Sequence, residues 1–210
     1  PSDLMVPTFT NKAADEIKER LSFFTEIDDS ALIGTFHSVA LTLLRTRLDL
    51  TDSGYTRDFT VITPEEELEL ALALMVKEGL TIKYKNRLKK RLENPDGKDL
   101  GDDFPRLLSL LSTEKKRLNK MTFSDLIFHA TTLSDTTDYR PLHIIIDEVQ
   151  DTDHEQLSMI DAYFKRGFTN LFAVGDQNQV IYSFRGSIFN VFTTLRNRYQ
   201  AKELSLSVNY

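Results

Sequence analysis

Short apolar runs and helical periodicities alternate along most of this chain. Leu4–Thr8 and Ala31–Thr35 are apolar runs of strand length. Behind the first, Ala13, Ala14, Ile17, Leu21 and Phe24 recur at helical spacing; behind the second, Phe36, Val39, Ala40, Leu43, Leu44 and Leu48 do. Further on, Leu142–Ile146 and Leu171–Val174 are continuous apolar runs, the pattern of strands buried on both faces of a parallel sheet. Each leads into a turn and another helical stretch, and Glu203–Val208 reads as a last strand. Strand-helix alternation of this kind predicts an α/β domain with a parallel sheet and flanking helices.

The middle of the chain breaks the alternation. From Thr63 to about Thr132 the pattern predicts helices only. Thr63-Pro64-Glu65-Glu66 joins an N-cap Thr, a Pro at the first helical position and a Glu at the third, and Leu68, Leu72 and Met75 mark the expected buried stripe. Asn94-Pro95-Asp96-Gly97 reads as a turn. The organisation expected is therefore one α/β domain, residues 1–58 and 121–210, interrupted by an all-helical insertion over 59–120.

Composition narrows the function classes. Apolar residues make up 40% of 210, enough for a globular core. No run approaches the ~20 uncharged apolar residues that span a bilayer, so no membrane partner is expected. With no Cys there is no disulfide framework and no thiolate metal site, which fits a cytoplasmic protein. The net charge of -6 disfavours nucleic-acid binding as a sum, but its distribution is uneven. Between Thr81 and Lys120 there are twelve Lys/Arg against six Asp/Glu, so the rest of the chain carries -12. Lys83, Lys85, Arg87, Lys89, Lys90 and Arg91 form either a solvated helix face or a DNA-facing surface.

The chemistry concentrates in two stretches. Ile144-Ile145-Ile146 leads into Asp147-Glu148-Val149-Gln150-Asp151, so an apolar strand delivers adjacent carboxylates to its C-terminal end, where ligands of open α/β sheets bind. In a phosphate-transferring site one such carboxylate holds Mg²⁺ and the other takes a proton from attacking water. The competing account is helix capping, for which Thr152 with Glu155 supplies an N-cap pair. The second stretch follows the strand at Leu171–Val174: Gly175-Asp176-Gln177-Asn178-Gln179, then Tyr182, Phe184 and Arg185. Gln179 is placed to reach a phosphate. The aromatics beside a cation form either a stacking platform for unpaired bases or ordinary core.

Taken together these stretches resemble motifs II and III of the UvrD/Rep/PcrA superfamily 1 DNA helicases, usually DEFQD or DEYQD and GDxxQxIYxFRG, with Val149 in place of the usual aromatic. Three further segments resemble the family's motifs in the family's order. Thr8-Phe9-Thr10-Asn11-Lys12-Ala13-Ala14 is similar to motif Ia, Gly34-Thr35-Phe36-His37-Ser38 to motif Ib, and Leu206–Tyr210 to the start of motif IV. Thr122–Leu126 is a weaker echo of the segment before motif II.

The resemblance implies an incomplete RecA-like sheet with a 1B-like helical insertion, belonging to an ATP- and Mg²⁺-dependent helicase acting on single-stranded DNA or a single-strand/duplex junction, with 3′→5′ direction. It implies Asp147 in the Mg²⁺ shell, Glu148 as general base, and Gln179 as the sensor of the terminal phosphate. Tyr210 corresponds to the tyrosine stacked on adenine. Phe9, Tyr182 and Phe184 would wall the single-stranded bases; Thr10, Asn11, Thr35 and His37 would lie along the DNA backbone; Arg185 would tie the motif III loop to the carboxylates or to DNA.

Bland roles compete at several of these positions: core packing for Phe9, capping or packing for His37, an N-cap for Thr35, and positioning or capping for Gln150 and Asp151.

No GxxxxGK[ST] segment occurs in the sequence. The family's P-loop lies upstream of motif Ia and its second RecA-like domain beyond motif IV, so these 210 residues alone are expected not to hydrolyse ATP and to leave a sheet edge uncovered. Pro7 is an unusual strand residue and leaves the end of the first strand open. A degenerate, non-catalytic helicase domain and the motor arm of a helicase-nuclease are the alternatives.

Overall fold

A computed structural model describes residues 4–27, 30–93, 101–166, 169–176, 179 and 191–206. Four parallel strands, β1 (Leu4–Thr8), β2 (Leu32–Thr35), β5 (His143–Ile146) and β6 (Asn170–Ala173), form one sheet in the order β2-β1-β5-β6. Because all four run the same way, their C-terminal ends share one rim. Pro7 is accommodated within β1: pairing with β5 involves only Leu4 and Met5, so the missing N–H lies past the paired stretch on that side, and Gly34 stands opposite on the other.

Helices α1 (Asn11–Ser22), α2 (Phe36–Thr46), α6 (Phe123–Thr132), α7 (His154–Phe164) and α8 (Val191–Tyr199) accompany the sheet. The main core joins Met5, Leu32 and Ile144 of the strands to Phe36, Leu43 and Leu44 of α2, Leu126 and Ile127 of α6, and Leu157 and Ile160 of α7. Each fully buried aliphatic side chain contributes about 1.5–3 kcal/mol. Tyr163, also fully buried, donates its hydroxyl to the Ala130 carbonyl at 2.9 Å, so no polar atom of that ring is left dry.

Between α2 and α6 the chain makes a helical excursion. Helix α3 (Pro64–Glu78) starts as its sequence predicts: Glu66 N–H donates to Thr63 Oγ1, Thr63 N–H donates back to Glu66 Oε2 at 2.8 Å, and Gly79 ends the helix at φ 64°. With α4 (Leu88–Glu93) and α5 (Asp103–Arg117) it builds a second apolar cluster from Ala71, Leu74, Met75, Leu88, Phe104, Leu107 and Leu111. One cation is buried beside it. Lys115 of α5 is 7% exposed and places Nζ 3.1 Å from Glu67 Oε1 of α3 and 2.6 Å from Asp125 Oδ2 of α6. The predicted turn at 94–97 lies outside the described residues.

Several expectations are corrected. The excursion is not all-helical, because β4 (Lys120–Met121) pairs in parallel with β3 (Thr60–Val61) and clasps its exit to its entry. Leu72 is 36% exposed; the α3 stripe runs through Ala71, Leu74 and Met75. Phe24 falls beyond the end of α1 and is exposed, as is Phe23, since the chain leaves helical geometry before it turns inward. β6 is not buried on both faces: Phe172 is 60% exposed, so one face of the strand lacks the cover that β2 has. No strand forms over the described part of the stretch from Glu203, where Leu204 and Leu206 are exposed and no neighbouring strand offers hydrogen bonds.

Candidate functional site

The rim at the strand C-termini gathers the chemistry. β5 ends at Ile146, and Asp147 and Glu148 follow at once. Glu148 adopts left-handed backbone angles (φ 51°, ψ 44°), uncommon for a residue with a side chain and the kind of local strain that clusters at working sites. The Glu148 N–H donates to Asp147 Oδ1 at 3.0 Å. Asp147 is half-buried and Glu148 exposed, so the pair faces outward.

The neighbouring strand is laced to this turn. Val174 N–H donates to the Ile146 carbonyl at 2.9 Å, and Val149 N–H donates to the Val174 carbonyl at 3.0 Å. Gln150 donates through Nε2 to Glu148 Oε2 at 2.6 Å and accepts at Oε1 from Asp176 N–H at 3.1 Å. Gln179 in turn donates through Nε2 to Asp176 Oδ2 at 3.1 Å. The Asp147/Glu148 pair and Gln179 are thereby brought into one hydrogen-bonded unit. Asp151 sits just behind. It is 9% exposed, with Oδ1 lacking a partner, and burial followed by the Glu148 charge pushes its carboxyl above the usual range.

Helix capping does not account for these acids. The N-cap of α7 is Asp153, which accepts from Gln156 N–H at 2.8 Å while the Gln156 side chain returns to Asp153 N–H; the Thr152/Glu155 pair expected there plays no such part. Asp153 has the correct spacing one position along, and the amide of Gln156 replaces the carboxylate of Glu155.

On the β1 and β2 side, the rim carries Phe9, Thr10 and Asn11, then Thr35, Phe36 and His37. Thr10 caps α1, accepting from Ala13 N–H at 3.1 Å, and Thr35 caps α2, accepting from Ser38 N–H at 3.2 Å. Both helices thus start at the rim and direct their N-terminal N–H groups to it, an arrangement favourable to anions. Thr8 Oγ1 bonds the Thr10 carbonyl at 2.9 Å and sets the angle between strand and helix. Phe9 and Thr35 are half-buried; Thr10 and Asn11 are exposed. Phe36 is core, whereas His37 meets Phe123 edge-on, with ring centroids 5.3 Å apart and planes at 79°.

Phe123 escaped the sequence reading. Its spacing puts it on the stripe of Leu126 and Ile127, so periodicity predicts core, yet it is 47% exposed at the first turn of α6. For Gln150 the sequence predicts only positioning or capping, and nothing in it reveals the partner 26 residues on. Tyr182, Phe184, Arg185 and Tyr210 lie outside the described residues.

Of the basic stretch, Lys83, Lys85, Arg87 and Lys90 are exposed, while Lys89 pairs with Glu65 and Arg91 lies over the Phe104 ring.

Two histidines make this region pH-sensitive. Burial pushes the His37 imidazole below its ordinary range, with Asp153 partly offsetting; burial does the same to His129, with Asp125 offsetting and Lys116 and Lys115 reinforcing. A histidine whose folded value is lowered takes up protons more readily when unfolded. Its stabilising contribution is whole above about pH 6.5 and is lost as pH falls through the lowered value. Glu67, raised mainly by burial, works in the opposite sense at lower pH. The midpoint of thermal unfolding should therefore fall between about pH 7.5 and about pH 5.5. A His37→Gln/His129→Gln double variant should fall less steeply over the same range, and an unchanged slope would refute the assignment.

Among the described residues no helix is long and apolar enough to cross a membrane. Residues 1–200 match the profile described as UvrD/REP helicase N-terminal domain. The chain is 28% identical to a protein named ATP-dependent DNA helicase PcrA from Staphylococcus epidermidis, covering 100% of this chain and 32% of that protein. It is 29% identical to the protein of the same name from Bacillus subtilis strain 168, over 100% of this chain and 31% of that protein. It is 26% identical to ATP-dependent DNA helicase Rep of Buchnera aphidicola subsp. Baizongia pistaciae, over 95% of this chain and 32% of that protein. The chain thus spans roughly a third of the length of each of these relatives.

Proposed function

Since the chain belongs to the UvrD/REP helicase N-terminal domain family, we propose that it forms part of the motor of an ATP-dependent helicase that moves along single-stranded DNA, in the 3′→5′ direction. Residues 1–58 and 121–210 are its RecA-like part, and residues 59–120 a 1B-like helical subdomain. The supporting observation is the hydrogen-bonded unit of Glu148, Gln150, Asp176 and Gln179, on the same rim as Phe9, Thr35 and His37.

The residues present fit Mg²⁺ and a nucleoside triphosphate. Mg²⁺ usually takes one or two carboxylates and completes its shell with water and phosphate oxygens. Asp147 offers a hard oxygen in a half-buried setting, with the Glu148 carboxylate next to it. ATP with its Mg²⁺ supplies the transferable phosphoryl group when bound. Asp147 would sit in the metal's shell. Glu148 Oε2 is held by Gln150, which leaves Oε1 to accept the proton of an attacking water. By the family resemblance Gln179 would meet the terminal phosphate and Tyr210 would stack on the adenine.

By the same resemblance Phe9, Tyr182 and Phe184 would stack on bases, and Phe123 beside His37 adds an exposed ring near Phe9's rim. Thr10, Asn11, Thr35 and His37 would lie along the DNA backbone, and Arg185 would tie the motif III loop to the carboxylates or to DNA. Because no GxxxxGK[ST] segment occurs among them, the 210 residues alone would not hydrolyse ATP.

In the full-length protein, ATP hydrolysis should rise on adding single-stranded DNA. Phe9→Ala should weaken binding of a fluorescent oligonucleotide by about 1–3 kcal/mol at fixed salt, the worth of one stacked base. Hydrolysis that ignores DNA, or affinity unchanged by Phe9→Ala, would overturn the reading.

A further inference from the structure

We infer that Gln150 is a positioning residue of this site, a two-ended brace that fixes the Glu148 carboxylate against Gly175 and Asp176 at the end of β6. The inference rests on the proposed ATP-hydrolysing role of Glu148 and assigns the part that holds it in place.

Three observations carry it. Gln150 is 2% exposed, yet both ends of its amide are used. Nε2 donates to Glu148 Oε2 at 2.6 Å, and Oε1 accepts from Asp176 N–H at 3.1 Å. The partners dictate the amide's orientation, since an ionised carboxylate only accepts and a backbone N–H only donates. A side chain serving both needs one donor and one acceptor at that reach. Glutamate lacks the donor and methionine lacks both.

The second observation is Gly175. Its backbone does not lie in the left-handed region, so flexibility is not what the position requires. A Cβ there would come 2.2 Å from Gln150 Oε1 and 3.1 Å from Val149 N. The glycine clears the space through which the Gln150 amide reaches Asp176.

The third is continuity. Asp176 passes the link to Gln179 through its side chain at 3.1 Å. A shift of the turn that follows β6 therefore pulls on the carboxylate that follows β5, and the reverse holds. Gln150 caps no helix, because that duty belongs to Asp153.

The test compares Gln150→Met and Gln150→Glu in the full-length protein. Loss of the brace should lower the DNA-stimulated kcat about tenfold to a hundredfold in both variants, the scale of a misplaced reacting group. KM for ATP should stay within about twofold, since uniform binding is not what the brace supplies. Hydrogen exchange separates the two ends without any turnover. In Gln150→Met the Asp176 amide should exchange about tenfold faster, the worth of one lost hydrogen bond. In Gln150→Glu it should keep its acceptor and its protection, while kcat still falls.

Wild-type kcat in Gln150→Glu would overturn the brace, as would a rise in KM that accounts for the whole loss. So would an Asp176 amide that exchanges alike in Gln150→Met and wild type. An unsubstituted protein that shows no DNA-stimulated hydrolysis would instead overturn the proposed function, and this inference with it.

Discussion

Replacing Glu148 by Gln in the full-length protein is expected to slow DNA-stimulated ATP hydrolysis by about a hundredfold to ten-thousandfold, the range a general base supplies. The substitution keeps length and shape, so the left-handed backbone at this position and the contact with Gln150 impose no new strain. What disappears is the capacity to take a proton. The loss should fall on kcat, with the KM for ATP changed by no more than a few-fold. Steady-state hydrolysis with saturating single-stranded DNA measures it. Activity within about tenfold of wild type would mean that another group removes the proton.

Lys115→Met carries the largest expected cost in stability. The ammonium is 7% exposed and lies between Glu67 of α3 and Asp125 of α6; the Glu67 side chain is 11% exposed and that of Asp125 21%. An intact buried ion pair adds little net stability, because desolvation cancels most of the attraction. Removing one partner is different, since the remaining charges stay dry and uncompensated. The expected cost is about 3–5 kcal/mol, toward the lower end because Asp125 keeps some water and two bonds within its capping box.

Urea unfolding of the wild type, Lys115→Met and Lys115→Met/Glu67→Leu decides the matter. The double variant should recover part of the loss, because an apolar replacement of both partners removes the stranded charge. A single-variant loss below about 1 kcal/mol would show that water reaches the cluster.

The four strands of the main sheet were legible in the sequence because each is a short apolar run bounded by polar turns. Their C-terminal ends could be placed on one rim because strand-helix alternation implies parallel pairing. Periodicity erred where burial depends on what lies opposite. Phe172 and Leu72 sit in runs that look like core, yet one lies on an uncovered face of its strand and the other on the outer side of its helix. The sequence does not single out Phe123, exposed beside His37, because its apolar spacing with Leu126 and Ile127 marks no surface.

The carboxylate pair at 147 and 148 and the polar turn through Gln179 could be read as two separate stretches. That they form one unit could not. The joining bonds cross from one strand end to the next through a side chain whose partner is 26 residues away. A buried lysine inside a basic run was equally hidden, since local composition counts Lys115 with the solvated cations around it.

The two-residue clasp of β3 and β4 has a practical consequence. Thr60 N–H donates to the Asn119 carbonyl and Ile62 N–H to the Met121 carbonyl, both at 2.9 Å, so the chain leaves and re-enters the sheet layer through one narrow doorway. Whatever is strung between those jambs closes a loop whose mouth is already shut, and changing its length costs little entropy in the remainder. The far part of the helical excursion can therefore change in length at little entropic cost to the main sheet, provided Lys115 keeps its hold on Asp125 of α6.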